Sequence, residues 1–213
     1  MVGTLHVHDL ILLGTESAVI STQGGTACPY FNPNQRPWVV MRRGRVSDGL
    51  IPVGVRGSQR HERWTGFTRL GEVLGVRRPD QLRLLLAEDS RRALLAFRTL
   101  SYLESRLVGL EMIWGPGGSV GYELASGIPA VRSDSDLDFI LFAPRKLEIA
   151  EAQDLWRMIS SAPGKVDALV ETPYCGFSLQ EFVTAPPRKI LLRTSDGRIL
   201  GSDPWNLSNG EDS

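Results

Sequence analysis

At 213 residues, 42% of them hydrophobic and 23% charged, the chain is long enough to bury a sizeable core and has the balance of an ordinary globular protein. Its 24 Lys and Arg cancel its 24 Asp and Glu, so no long-range field draws it to nucleic acid, and no apolar run reaches the length of a membrane span. The opening "MVGTLHVHDLILLG" lacks the basic start and cleavage site of a secretory signal, and Cys28 and Cys175 form neither a metal-ligand spacing nor a disulfide framework, so both read as packing residues in a reducing cytoplasm.

In chain order, "LHVHDLILL" (5–13) and "PWVVMRR" (37–43) predict strands, and "LIPVGVRG" (50–57) alternates towards a glycine turn. Residues 14–37, rich in Gly, Pro, Asn, Ser and Thr, predict a long loop or hairpin tip. From Arg36 to Arg63 there are seven arginines (Arg36, Arg42, Arg43, Arg45, Arg56, Arg60, Arg63) against Asp48 and Glu62, although the chain has only three lysines, Lys146, Lys165 and Lys189. Two readings stand side by side: a solvated face on alternating strands, or planar forks aimed at phosphate oxygens.

Residues 77–109 carry apolar positions three and four apart and predict a short helix followed by a long one, with Asp80 and Ser90 as N-caps and Gly109 as a stop. Then come a strand in "LEMIW" (110–114), a glycine turn entering a helix in "GPGGSVGYELASG" (115–127), and a strand in "DLDFILFA" (136–143). A helix follows at 145–162, with Leu147, Ile149, Ala150, Leu155, Trp156 and Ile159 on one stripe, then a strand in "KVDALVET" (165–172). Ser178 and Glu181 have the spacing of a capping box, and "RKILLRTSDGRILG" (188–201) reads as a hairpin. The pattern is α/β (α+β): a strand-rich N-terminal domain, 1–78, and a mixed-sheet domain with helices, 79–213.

The chemistry concentrates at "SDSDLDFILF" (133–142). Side chains alternate along a strand, so Asp136 and Asp138 point the same way, about 7 Å apart. Two carboxylates so placed repel each other unless solvent or a divalent cation separates them, and Mg²⁺ accepts a couple of carboxylates plus substrate phosphates. A third carboxylate on a neighbouring strand is expected; Asp167 is the first candidate, and Glu171, on the same face, the second. Asp134 reads as a turn residue. Upstream, Gly118 and Ser119 lie in a glycine turn before a helix, where backbone amides bind phosphate oxygens. The three histidines, His6, His8 and His61, are too scattered for a metal site, and His8 beside Asp9 reads as a structural hydrogen bond. Trp38, Trp64, Trp114, Trp156 and Trp205 read as core.

The order "GGS…SDLDF…VDALV" resembles the nucleotidyltransferase superfamily. With "VHDLILL", "PWVVMRR", "IPVGVRG" and "YELASGIPAVRSDSDLDFIL", nearly the whole chain resembles the malonate decarboxylase holo-acyl-carrier-protein synthases, or phosphoribosyl-dephospho-CoA transferases. The resemblance implies a nucleotidyltransferase-like second domain. It also implies transfer of the phosphoribosyl-dephospho-CoA prosthetic group from its triphosphate donor, triphosphoribosyl-dephospho-CoA, to a serine of the acyl-carrier subunit of malonate decarboxylase, with loss of pyrophosphate. Carried over, Asp136, Asp138 and Asp167 are the catalytic and Mg²⁺-binding residues, Gly118 and Ser119 bind substrate phosphates, and Arg56 offsets their charge. Gly121 departs from the expected pattern as a flexible helix start, and Asp134 as an added carboxylate. The rival readings are a nucleotidyltransferase with another acceptor hydroxyl and a non-catalytic subunit that keeps the fold; neither nucleic acid nor membrane is an expected partner.

Overall fold

A computed structural model of the protein describes residues 4–21, 28–31, 35–45, 49–57, 59, 62–184 and 189–207. These form two six-stranded sheets and five α-helices, the mixed organisation expected from the sequence.

The first sheet holds β1 (Leu10–Leu13), β2 (Ile20–Ser21), β3 (Trp38–Met41), β4 (Leu50–Arg56), β5 (Arg63–Arg69) and β6 (Val73–Arg77) in the order β2-β5-β4-β3-β1-β6. Every pairing in it is antiparallel. Period-two alternation divides its faces: Val39 and Met41 are buried in a core with Ile11, Leu13 and Val53, while Trp38 and Val40 lie half-buried on the other side. The strand predicted from Leu5 begins only at Leu10. The Asp9 carboxylate accepts the His6 amide at 2.8 Å, the Asp9 amide donates to the His6 carbonyl, and His8 adopts φ +75°. A short polar side chain has captured the backbone in a turn before the ladder starts. Strands β5 and β6 were not separately legible, because Arg, Thr and Gly dilute their pattern. The predicted 14–37 loop contains a 3₁₀ turn at Glu16–Ala18 and β2; residues 22–27 and 32–34, and likewise Asp48, Arg60 and His61, lie outside the described residues.

The connection consists of α1 (Pro79–Leu82) and α2 (Leu95–Arg106). Both predicted caps are corrected. Arg78 is the N-cap of α1, with Asp80 inside the first turn, and α2 starts after Leu94, four residues beyond Ser90. Arg91 explains the delay: its amide closes a turn onto Glu88 and its guanidinium reaches Glu123. Gly109, at φ +84°, follows the end of α2.

The second sheet runs β12-β11-β10-β9-β8-β7, with β7 (Ile113–Pro116), β8 (Leu137–Phe142), β9 (Val166–Glu171), β10 (Gly176–Ser178), β11 (Ile190–Thr194) and β12 (Gly197–Gly201). Only β8 and β9 pair in parallel, and the crossover this demands is α4 (Ile149–Ser160). α3 (Gly118–Ser126) links β7 to β8, and α5 (Leu179–Thr184) links β10 to β11. Ser178 accepts the Glu181 amide as a cap should, but the Glu181 carboxylate accepts the Leu191 amide, so the predicted capping box is half made. β7 lies later than predicted, and α1 packs on its Gly115, where a Cβ would overlap the Pro79 carbonyl. Phe139 and Leu141 of β8 and Val170 of β9 meet Leu155 and Ile159 of α4 in the second core. Trp114 stacks on Phe139 at 5.0 Å, and Trp205 packs against Phe177 and Phe182 while donating from Nε1 to the Ala143 carbonyl at 2.9 Å. Cys175 is buried and Cys28 partly so, and both are free thiols. Among the described residues no helix is long and apolar enough to cross a membrane.

Glu171, at the far end of β9, joins the two sheets. It is 6% exposed and is held by Arg43 and by His8 Nε2 at 2.8 Å. Burial first, and Arg43 second, lower the His8 pKa to about 4. The ring is therefore neutral at pH 7, and because an ionised carboxylate only accepts, Nε2 carries the proton. A folded-state pKa below the unfolded value near 6.5 contributes stability that is present above that value and lost as pH falls towards 4, about 3 kcal/mol in full. Urea titrations of wild type and His8→Gln between pH 7.5 and 4 are expected to show a steeper loss below pH 6.5 in the wild type; parallel curves would refute this.

Candidate active site

Parallel pairing sets Asp138 directly beside Asp167 at the start of β8 and β9. Both line, with Asp136 and Ser119, a pocket of about 420 Å³. The structure thus brings Asp136, Asp138 and Asp167 to one cavity, while the alternative third carboxylate, Glu171, lies four residues on, neutralised by Arg43 and hydrogen-bonded by His8. Asp134 sits at the rim, in a turn closed by the Ser135 amide on the Arg132 carbonyl. Lys165 approaches Asp136 at 3.6 Å but is 81% exposed, so it holds that carboxylate weakly.

The glycine turn packs against Asp138, with Ser119 lining this pocket and Gly117 and Gly118 lining a neighbouring cavity. The Gly117 amide donates to the Asp138 carbonyl at 2.8 Å, and Gly118 takes φ +53°. A Cβ at Gly118 would overlap the Asp138 carboxylate, so only glycine lets the start of α3 meet that side chain. No side chain caps α3. Gly117 is the N-cap, and Ser119, in the first turn, is 7% exposed and lines the pocket. Gly121 is not a flexible spot. It is buried, and a Cβ there would stand 2.7 Å from the Pro116 carbonyl oxygen.

Glu123, later on α3, fixes the segment that delivers the aspartates. It accepts two bonds from Arg91, at 2.7 and 3.0 Å, and the Ala130 and Val131 amides at 2.7 Å each. Burial pushes this carboxyl up, but Arg91 and the two amides outweigh it and hold the group below its usual range. Its sequence position three residues after Val120 carries no signal of this role.

Five arginines, Arg56, Arg63, Arg132, Arg193 and Arg198, line the same pocket. Arg56 is directly opposite Arg63 across β4 and β5, and Arg193 opposite Arg198 across β11 and β12. Like charges facing each other across a ladder are destabilising, and each sheet aims one such pair at the aspartates. Burial, followed by Arg63, lowers the Arg56 pKa. The patch read from 36–63 is therefore divided: Arg56 and Arg63 face the pocket, Arg43 and Arg45 pair with Glu171 and Asp196 of the other half, and Arg42 lines the cleft between. Arg193 and Arg198 were missed, although a two-residue hairpin turn at Ser195–Asp196 obliges them to face each other.

Among the described residues no group of three His, Cys, Asp or Glu side chains is gathered as a ready metal cluster. The hard oxygen donors of Asp136, Asp138 and Asp167 nevertheless fit Mg²⁺, an ion held by one or two carboxylates together with substrate phosphates rather than by an all-protein cage. Burial, then Asp136 and Asp167, raise the Asp138 pKa. A raised carboxylate pKa lowers stability as pH climbs through it, because the ionised form is the penalised one. In metal-free buffer at pH 7.5, Asp138→Asn is expected to melt higher than wild type by roughly 2–4 °C for each kcal/mol of repulsion relieved; an equal or lower melting temperature would contradict the crowding of these carboxylates.

Models of the phosphoribosyl-dephospho-CoA transferase MdcG match the chain in two parts, the N-terminal domain over residues 6–79 and the C-terminal domain over residues 81–204. The phosphoribosyl-dephospho-CoA transferase of Pseudomonas fluorescens strain Pf-5 is 38% identical over 168 residues, 79% of each chain. That of Pseudomonas fluorescens strain Pf0-1 is 33% identical over 206 residues, 97% of each chain, and that of Azotobacter vinelandii 35% identical over 172 residues, 78% of this chain and 79% of its own. No solved structure matches. With both halves matched in order and identity above 30% over nearly its full length, the chain belongs to the phosphoribosyl-dephospho-CoA transferase family.

Proposed function

We propose that the protein transfers the phosphoribosyl-dephospho-CoA group from its triphosphate donor to a serine of the acyl-carrier subunit of malonate decarboxylase, by nucleotidyltransferase chemistry with pyrophosphate leaving. The observation that carries this reading is the convergence of Asp136, Asp138 and Asp167 with two facing arginine pairs on one pocket. Carboxylates alone would repel a polyphosphate, and arginines alone would leave no group to take a proton. Together they suit a phosphoryl transfer, in which positioning and charge compensation are most of the catalytic work.

No side chain caps the start of α3, and Ser119 in its first turn lines the pocket; in this reading the amides there and the Ser119 hydroxyl meet phosphate oxygens. Arg56 and Arg63 from the first sheet, and Arg193 and Arg198 from the second, hold the triphosphate between them. Asp136 and Asp138 would hold Mg²⁺, which when bound supplies neutralising charge at the phosphates. Asp167 draws the proton from the carrier serine as its oxygen attacks the α-phosphorus. The bond to the β-phosphate oxygen breaks and pyrophosphate departs, leaving the serine in a phosphodiester.

Mass spectrometry of the carrier subunit, incubated with donor and Mg²⁺, tests the reading. Asp136→Asn is expected to slow transfer by about 10²–10⁴-fold with melting temperature retained; a folded variant that transfers normally would end it. The arginine pairs make a separate prediction. The double variant Arg193→Ala/Arg198→Ala is expected to bind tripolyphosphate at least tenfold more weakly by calorimetry, while its ligand-free form loses no stability. Unchanged binding would remove the pair from the site.

A further inference from the structure

A second cavity, of about 290 Å³, opens beside the aspartate pocket on the side of the first sheet. Arg56 and Arg63 line both, so the two cavities adjoin at these side chains. Gly54, in mid-β4 between Val40 and Thr65 of the neighbouring strands, lines its floor. A Cβ at Gly54 would press on the Arg42 and Val40 side chains, at 3.0 and 3.2 Å, so the glycine lets Arg42 lie across the strand. Trp38 of β3 and Tyr122 of α3 both line the cavity. Trp38 thus departs from the core role expected of it. Trp114 and Trp205 have their rings packed on aromatic neighbours, whereas among the described residues neither Trp38 nor Tyr122 has an aromatic partner. At the lower end of ligand-pocket sizes, roughly 300–1,000 Å³, the cavity is too small for a whole nucleotide-bearing donor and suited to one flat ring system.

We infer that this cavity seats the adenine of the donor, its ring faces against Trp38 and Tyr122 and its sugar towards Arg56 and Arg63; the identity of the ligand rests on the transferase reading above. Unpaired aromatic rings beside arginines are the arrangement that takes a nucleobase joined to phosphate. One ribose separates the adenosine of such a donor from its triphosphate, which matches two cavities that adjoin and share a wall. The competing occupant is the pantetheine arm, an aliphatic amide chain that gains from apolar surface but has no ring to stack.

The test is binding to the full chain, followed by calorimetry without metal, of four probes: dephospho-CoA, AMP, 4′-phosphopantetheine and inorganic tripolyphosphate. AMP is expected to displace dephospho-CoA, and phosphopantetheine is not. Trp38→Leu and Tyr122→Leu are each expected to weaken dephospho-CoA binding about 5–150-fold, the range of one lost base–ring stack. Trp38→Phe is expected to restore most of it, with tripolyphosphate binding unaltered in all three variants. Displacement by phosphopantetheine and not by AMP would assign the cavity to the other arm and overturn the inference. So would dephospho-CoA affinity unchanged in both leucine variants, or lost together with tripolyphosphate affinity. Asp138→Asn separates the two readings: active transfer in that variant would sink the proposed chemistry, whereas the adenine seat stands or falls on the probes alone.

Discussion

The parallel ladder between β8 and β9 places two carboxylates side by side, and much of the surrounding structure follows from accommodating them. An antiparallel neighbour joined by a tight turn would have placed the two strand starts at opposite ends. The α4 crossover instead brings Asp167 level with Asp138. The approach of α3 then requires a residue without a side chain at Gly118, and the left-handed backbone there is one that glycine adopts without strain. Gly115 and Gly121 serve the same close packing, against Pro79 and Pro116. Three glycines in one short segment thus have steric causes, and none of them marks slackness.

Charge is treated in opposite ways at the two ends of β9. At its end, Glu171 is buried and satisfied by His8 and Arg43, which fastens the first sheet to the second. At its start, Asp167 and its neighbours are left facing one another and two pairs of arginines. Natural proteins retain such repulsive groupings where a ligand compensates them, at some cost in the stability of the free protein. Both ends of one strand therefore carry acids: one is closed by a buried ion pair, and the other lines an open pocket with arginines around it.

Much of this was legible in the sequence, for reasons that differ by element. The alternation of Asp136 and Asp138, the strand–Gly–Gly–Ser–helix order and the apolar runs at 137–142 and 166–170 are local signals, and the elements formed where local physics put them. Which of Asp167 and Glu171 lies beside the aspartate pair is not a local matter: it depends on the β8–β9 register and on partners more than 120 residues away. Caps failed where tertiary contacts intervened, as at Ser90, where Arg91 is drawn to Glu123. The first strand was shortened by a turn that Asp9 makes with His6, two residues that were visible but whose geometry was not. Trp38 reads as core because composition cannot distinguish the two faces of a sheet.

The β11–β12 hairpin has an outcome of a different kind. Its turn residue Asp196 pairs with Arg45 of the first sheet, while its strands carry Arg193 and Arg198 to the pocket. The proposed seat for polyanions is accordingly composite, with arginines contributed from both halves of the polypeptide. Severed at the 78–79 peptide bond, neither fragment would own a complete seat, and anion capture would report reassembly of the pair.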